Sequence, residues 1–462
     1  LRPMRAVRSF HSRGECLCWR HPDASKIAMP PKSLNRRQFL QRSLGAAAGL
    51  GALASIGRVH AAPPPPPGER ITMGAIGLGA MGEADMAAFL HMPPVQMVAL
   101  CDVDAQRARA ALNTVNEYYG ERTWSGRYAG CHVYHDYREL LAREDLDAVV
   151  IALPDHWHAL ATVHAARAGK DIYGEKPLSL TIEQGRIMSD EVRRHGCVFQ
   201  TGSQQRSDRL FRFACELVRN GRIGRLHNMR VGLPTAPVGE VVQPQPVPEH
   251  FDYDFWLGPA PWAPYHERRC HWDFRWIFDY SGGQVTDWGA HHCDIAQWGK
   301  GTELTGPVKV EPVAWERPRD GLWDVFTHYR FICTYDDGVT MDVSDGYPNG
   351  VRFEGDAGWV FVTRGAIEAE PAALLDEPIG PGEIQLYQSE DHRADFLRSV
   401  RTREEPIAPI EVAHRSITIA HLGNIAMLTG RTIQWDPDAE RIVGDEEAQR
   451  LCSRAMREPW RL

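Results

Sequence analysis

The chain has no apolar run long enough to cross a bilayer as a helix, no CxxC pair, no internal repeat and no familiar zinc-ligand spacing. These absences exclude a membrane-spanning body, a small domain framed by disulfides and a solenoid. Eight of the ten cysteines lie beyond residue 62, at 101, 131, 197, 215, 270, 293, 333 and 452, several inside strand-like apolar runs, as reduced core residues would. Positive charge is also missing from the body of the chain. Residues 1–62 hold eleven Lys/Arg against two Asp/Glu, so the overall charge of -8 leaves -17 for the remainder. An acidic body speaks against nucleic acid or an anionic membrane as partner. What is present, 43% hydrophobic and 24% charged residues over 462 positions, describes an ordinary globular chain with room for two or three domains.

The basic leader (1–62) has its own logic. Asn35-Arg36-Arg37-Gln38-Phe39-Leu40 is a twin-arginine pattern, followed by a weakly apolar Gly/Ala-rich stretch at 44–57 and a small-residue cleavage site at Val59-His60-Ala61. Export of the folded protein by the twin-arginine machinery, and a periplasmic location with no membrane span in the mature form, are expected. Residues 1–28 fit no export pattern and Met29 stands just before the signal, so the reading frame is expected to be over-extended there and the mature chain to begin near Ala62. Residues 63–69 form a proline-rich linker, whose five prolines span about 15 Å if extended.

From Ile71 strand-like and helix-like segments alternate. Strands are expected at 71–76, 95–101, 147–153, 171–174 and 197–202, with helices at 83–91, 104–119, 137–143, 156–168 and 181–195. Such alternation implies an α/β fold, a doubly wound parallel Rossmann sheet over residues 70–202 with its ligand at the strand C-termini. After Gly202 the pattern changes. Runs at 225–233, 308–315, 325–335, 339–345 and 359–363 read as strands, with a hairpin signal at Asp336-Asp337-Gly338. Residues 203–436 are therefore expected to form an α+β domain with a largely antiparallel open sheet. Helices at 391–400 and 412–428 are expected to close it, in part against the first domain, before a tail at 437–462.

The first strand ends in Gly77-x-Gly79-x-x-Gly82. Gly77 permits the tight turn, Gly79 lets a pyrophosphate approach the backbone, Gly82 allows close helix–strand packing, and the N–H groups around Ala80 and Met81 face the phosphates. Asp102 ends the second strand twenty residues on, where a carboxylate can grip the adenosine ribose. It would repel a 2′-phosphate by up to about 4 kcal/mol per charge at 4 Å and an effective dielectric of 20, which favours NAD over NADP. Arg107 is expected to be solvated. Glu175-Lys176-Pro177 follows the fifth strand, where a lysine can hydrogen-bond a substrate oxygen as negative charge develops on it. In Asp287-Trp288-Gly289-Ala290-His291, a helix beginning near Thr286 puts Asp287 and His291 on one face. Histidine can take a hydroxyl proton while a carboxylate beside it orients ring or substrate. Asp294, three past His291, is placed to hydrogen-bond it, and His292 reads as structural. Cys270, His271, His291 and Cys293 match no metal pattern, and no metal is expected.

These motifs, with Pro154-x-x-x-His158, occur in an order that resembles the Gfo/Idh/MocA family, which includes glucose–fructose oxidoreductase and inositol dehydrogenase. The resemblance runs from Ile71 to roughly Asp436. It implies a Rossmann domain joined to an α/β domain whose open sheet makes homodimers or homotetramers. It also implies a catalytic group of Lys176, Asp287 and His291, a cis peptide before Pro177, and Pro154 and His158 beside the nicotinamide. Aromatic residues Trp256, Trp262, Tyr265, Trp272, Trp276, Tyr280 and Trp288 crowd near Arg268, Arg269 and Arg275. Most are expected in the core, while the remainder suit stacking on a sugar or polyol, with Arg275 and Trp276 as substrate contacts. Gln204 and Arg206 are further candidates for the substrate pocket. The expected activity is hydride transfer between such a hydroxyl and tightly held NAD. A redox-neutral glycoside hydrolase or lyase acting by transient oxidation is the alternative, and a non-catalytic sugar- or NAD-binding protein the second.

Overall fold

The computed structural model describes residues 69–123 and 125–462; the leader, the twin-arginine pattern, its cleavage site and the polyproline run lie outside them. Two sheets organise residues 69–462. The first contains β1 (Ile71–Ile76), β2 (Val95–Cys101), β3 (His132–Tyr134), β4 (Ala148–Ile151), β5 (Asp171–Gly174) and β6 (Phe199–Thr201). All six are parallel, in the order β3-β2-β1-β4-β5-β6. β4 and β5 are buried at every residue, which is why β4 reads as a continuous apolar run rather than an alternating one. The order reverses between β1 and β4, opening a crevice at their C-terminal ends.

Helices α1 (Ala80–Leu90), α2 (Ala105–Gly120), α3 (Tyr137–Leu141), α4 (Asp155–Arg167) and α5 (Ile182–Arg194) connect these strands. α2 starts where the Asp104 side chain accepts from the N–H groups of Gln106 and Arg107, and α5 where Thr181 accepts from Gln184. α1 begins three residues earlier than the sequence pattern suggests, directly on the glycine turn.

Beyond α6 (Arg209–Arg219) the second sheet collects β7 (Leu226–Gly232), then, after α7 (Tyr253–Leu257), α8 (Gln284–Asp287) and α9 (Gly289–Lys300), the strands β8 (Lys309–Glu316), β9 (His328–Thr334), β10 (Thr340–Ser344), β11 (Gly350–Gly355), β12 (Gly358–Thr363) and β13 (Ala366–Glu370). Only β7 and β10 pair in parallel; the other ladders are antiparallel. The Asp336-Asp337-Gly338 turn joins β9 to β10 as expected. α6, α9 and α11 (Ile410–Thr429) pack on one face, and the alternating burial of β9 leaves the other face open. α10 (His392–Thr402) turns back to the Rossmann layer. Phe396 meets Phe89 and Tyr173 edge-on, and Arg393 bonds the wholly buried Asp85 of α1. The last residues also pack, with Ala448 and Cys452 buried and Trp460 stacked on Phe255. Among the described residues no helix is long and apolar enough to cross a membrane, and all eight cysteines are free thiols.

Candidate active site

A cavity of about 750 Å³ opens over the C-terminal ends of β1, β2, β4 and β5 and is closed from the other side by residues 251–291 and Arg364. At one end lies the glycine turn. Gly77 has φ +85°, and a Cβ there would come within 2.3 Å of the Ala152 carbonyl oxygen; one on Gly82 would come within 1.9 Å of the Gly77 oxygen. At Gly79, by contrast, the nearest obstacle is the movable Arg107 guanidinium at 3.0 Å, so the backbone there is open to a ligand. Among the described residues no side chain caps α1, which leaves its first N–H groups, at Ala80, Met81 and Gly82, available to an anion. The Asp102 carboxylate accepts from the N–H groups of Leu78 (2.7 Å) and Asp104 (2.8 Å), fastening the end of β2 to the turn, and burial raises its pKa. Arg107, partly exposed, also lines the cavity beside Gly79. An uncapped helix start, an unobstructed Gly79 and a carboxylate at the β2 end fit an adenine dinucleotide.

The other end holds the ionisable groups. Lys176 and Pro177 are joined by a cis peptide, as the resemblance implied. Lys176 Nζ donates to Asp287 Oδ1 at 2.6 Å and to the Asp287 carbonyl at 3.3 Å, while Arg275 Nε stands 3.7 Å from the same carboxylate. Burial works to raise the Asp287 pKa, but the two cations outweigh it and hold the carboxyl below its usual range. Asp287 and His291 do not share one helix. α8 ends at Asp287, and α9 begins beyond Trp288, whose carbonyl accepts from the N–H of His291. Both side chains nevertheless face the cavity. Neither ring nitrogen of His291 has a hydrogen-bond partner among the described residues, and Nδ1 is shut off from solvent. Burial, reinforced by the charges of Lys176 and Arg364, holds its pKa well below the usual value, so the ring is a neutral acceptor.

The structure sorts the remaining candidates. Pro154 lines the cavity, as do Glu175, Gln204, Arg275 and Trp276. Gln204 donates to Glu175 Oε1 at 3.0 Å, and burial together with Asp85 raises the Glu175 carboxyl. His158 is buried behind the wall, its nitrogens 2.6 Å from the Pro177 oxygen and 2.7 Å from that of Leu153, so it ties together the loops after β4 and β5. Pro177 is likewise outside the lining. Arg206 contradicts its expected substrate role. It is 2% exposed and fully engaged by Asp294 (2.6 and 2.8 Å) and Glu303 (2.8 Å), because its position after β6 points into the α6–α9 interface. Asp294 is correspondingly bound to Arg206 and Ser416 and not to His291. His292 is held by Asn349, as a structural residue would be.

Of the aromatic candidates, Trp256, Tyr265, Trp276 and Tyr280 are core, as most were expected to be, and Trp256 and Trp276 line the cavity together with Trp272 and Trp288; Trp262 is exposed elsewhere. Sequence reasoning missed Asp155 and Arg364. Asp155 begins α4 inside the Pro154-x-x-x-His158 motif and accepts from Ser281 Oγ at 2.6 Å; burial raises its carboxyl to about 7. Its place at a helix start beside a quoted motif was the available signal. Arg364 sits in a hairpin far along the chain with no local pattern to mark it. Among the described residues no group of three or more His, Cys, Asp or Glu could hold a metal ion.

A parallel sheet carrying an NAD-type turn, with a lysine, a carboxylate and a neutral histidine across its switch point, defines a dinucleotide-dependent oxidoreductase. Residues 71–203 match the oxidoreductase family's NAD-binding Rossmann fold, and residues 237–462 match its C-terminal alpha/beta domain, extending past the expected end at Asp436. The chain belongs to the Gfo/Idh/MocA oxidoreductase family, and its cofactor is NAD. It is 26% identical over 307 residues to the uncharacterized oxidoreductase YrbE of Bacillus subtilis, covering 65% of this chain and 74% of that protein. It is also 28% identical over 208 residues to a glycosyl hydrolase family 109 protein of Shewanella pealeana, covering 42% of this chain but only 44% of that one. The solved aldose-aldose oxidoreductase of Caulobacter crescentus, complexed with glycerol, superposes with a TM-score of 0.58 at 20% identity, over 79% of this chain and 99% of that one.

Proposed function

We propose that the protein oxidises a hydroxyl-bearing carbon of a sugar, sugar derivative or polyol. The observation that carries this reading is the pairing, in one cavity, of an ammonium held by Asp287 with a neutral histidine whose ring has no hydrogen-bond partner among the described residues. When bound, NAD supplies the acceptor for the hydrogen that leaves carbon with its electron pair. His291 takes the hydroxyl proton at Nε2, since Nδ1 is enclosed. Lys176, with one N–H direction unused by Asp287, donates to the oxygen on which charge develops. Asp287 orients the ammonium, and the tryptophans exclude water and offer flat faces to a sugar ring. The test is NADH absorbance on mixing purified protein and NAD with a panel of sugars and polyols. Signal lost in the His291→Asn variant supports the reading, and no signal with any compound overturns it.

The twin-arginine pattern supports periplasmic export of a folded protein that keeps its NAD, because a cofactor lost there would not be replaced. The reaction would then restore its own cofactor by reducing a second carbonyl. Protein purified from periplasm should carry bound NAD(H), and empty protein that exchanges NAD freely would sink this idea. The open face of the second sheet suits a homodimer or homotetramer, which light scattering would reveal. A second reading, redox-neutral cleavage of a glycoside, is favoured by the likeness to glycosyl hydrolase family 109. Release of an aglycone without net NADH would select it.

A further inference from the structure

The catalytic end of the cavity has more positive charge than its own acids absorb. Lys176, Arg275 and Arg364 all line it, and the first two share the single carboxylate of Asp287. The other two carboxyls there, Asp155 and Glu175, are buried against Ser281 and Gln204. Burial raises both above the ordinary range, Asp155 to about 7, which diminishes the negative charge they contribute near neutrality.

Arg364 has no acidic partner among the described residues. An exposed arginine on a turn ordinarily extends into water, where it says nothing about function. This one lines the cavity, with its guanidinium carbon 4.8 Å from the centre of the Trp288 ring, whose neighbour at 6.0 Å is His291. Its backbone is held on the shortest kind of hairpin connection. Thr363 of β12 pairs with Ala366 of β13, leaving only Arg364 and Gly365 between them, with Gly365 at φ +82°.

We infer that the substrate of this site carries a carboxylate, as a uronic or aldonic acid does, and that Arg364 binds it. The inference rests on the oxidoreductase reading above and names its substrate class. One planar guanidinium matches one carboxylate through two parallel hydrogen bonds. A phosphate monoester brings nearly two charges and three acceptor oxygens, and the other two cations at this end are already engaged by Asp287. A carboxylate on Arg364 would also cancel the field that this arginine exerts on His291, strengthening the base when an acidic substrate is seated.

The test compares D-glucuronate, D-galacturonate and D-gluconate with D-glucose, myo-inositol and D-glucose 6-phosphate in the NADH assay, with wild-type protein and Arg364→Gln and Arg364→Lys variants. At least one acid should exceed glucose by tenfold or more in kcat/KM. Arg364→Gln should cut that preference at least tenfold, mainly through KM, and Arg364→Lys should restore part of it. Preference for the neutral compounds or for the phosphate ester, or a preference untouched by Arg364→Gln, overturns the inference while leaving the oxidoreductase reading intact. NADH formation with none of the six overturns that reading, and the inference with it.

Discussion

Two buried ion pairs of similar chemistry stand seven residues apart along one stretch of chain. Asp287, at the end of α8, pairs with Lys176; Asp294, in α9, pairs with Arg206. The Arg206 pair is closed. The guanidinium meets both oxygens of Asp294, Glu303 and the Ile407 carbonyl, and Asp294 also accepts from Ser416. The Lys176 pair is open. It faces a cavity, leaves part of the ammonium unused and stands beside a histidine whose ring nitrogens have no hydrogen-bond partner among the described residues. The difference teaches that a charged pair acts as scaffold when every donor direction is filled inside the protein, and becomes a candidate for chemistry when some are left for a ligand.

The largest expected effect breaks the closed pair. Arg206→Ala strands the buried Asp294 carboxylate and should cost about 3–5 kcal/mol of stability, with turnover per folded molecule retained. Denaturant melts alongside the NADH assay check both parts, and an unchanged midpoint would show that the pair is not scaffold. Breaking the open pair should do the reverse. Lys176→Ala should raise the barrier by about 2.7–4 kcal/mol, as for loss of one donor to a developing oxyanion, with a smaller loss of stability. Near-wild-type kcat would remove Lys176 from the chemistry.

Asp102 belongs with the open groups, since its carboxylate both fastens the glycine turn and faces the cavity. Asp102→Ala should weaken NAD binding by about 1.5–3 kcal/mol, the worth of hydrogen bonds to a charged group, and narrow discrimination against NADP. Calorimetric titration with both dinucleotides measures this, and an unchanged preference would mean another residue reads the ribose.

Asp155 lies between the two types: buried and hydrogen-bonded by Ser281, yet part of the cavity wall. Its carboxyl is raised to about 7, so the folded protein keeps a proton that the unfolded chain releases near pH 4. Stability from this group should fall as pH rises from about 4 to 7, by up to about 1.4 kcal/mol per unit. Asp155→Asn should flatten that part of the profile in melts across the range. An identical profile would place Asp155 with the ordinary ionised carboxylates.

Much of this was legible in the chain. The parallel strands announced themselves because strands buried on both faces must be apolar throughout, and Gly77, Gly82 and Asp102 because their roles depend on residues close by in sequence. β3 was missed. Its three residues are largely exposed, and a run that short carries no periodicity. β11 and β13 were missed because each is only five or six residues long and takes its stability from partners across the sheet. The single helix expected through Asp287 and His291 divides at Trp288, a break that residue spacing does not encode.

By itself the sequence determined the fold class, the dinucleotide turn and the sites of Lys176, Asp287 and His291, because each depends on periodicity or on a motif a few residues long. Only the tertiary structure decided which charges are spent and which are free. Arg206, read as a pocket residue, is enclosed by acids that come from 88 and 97 positions away. Arg364, unmarked in the sequence, reaches the cavity across a hairpin. Whether a charge is spent depends on the partners that folding brings to it, and a linear pattern carries no record of those partners.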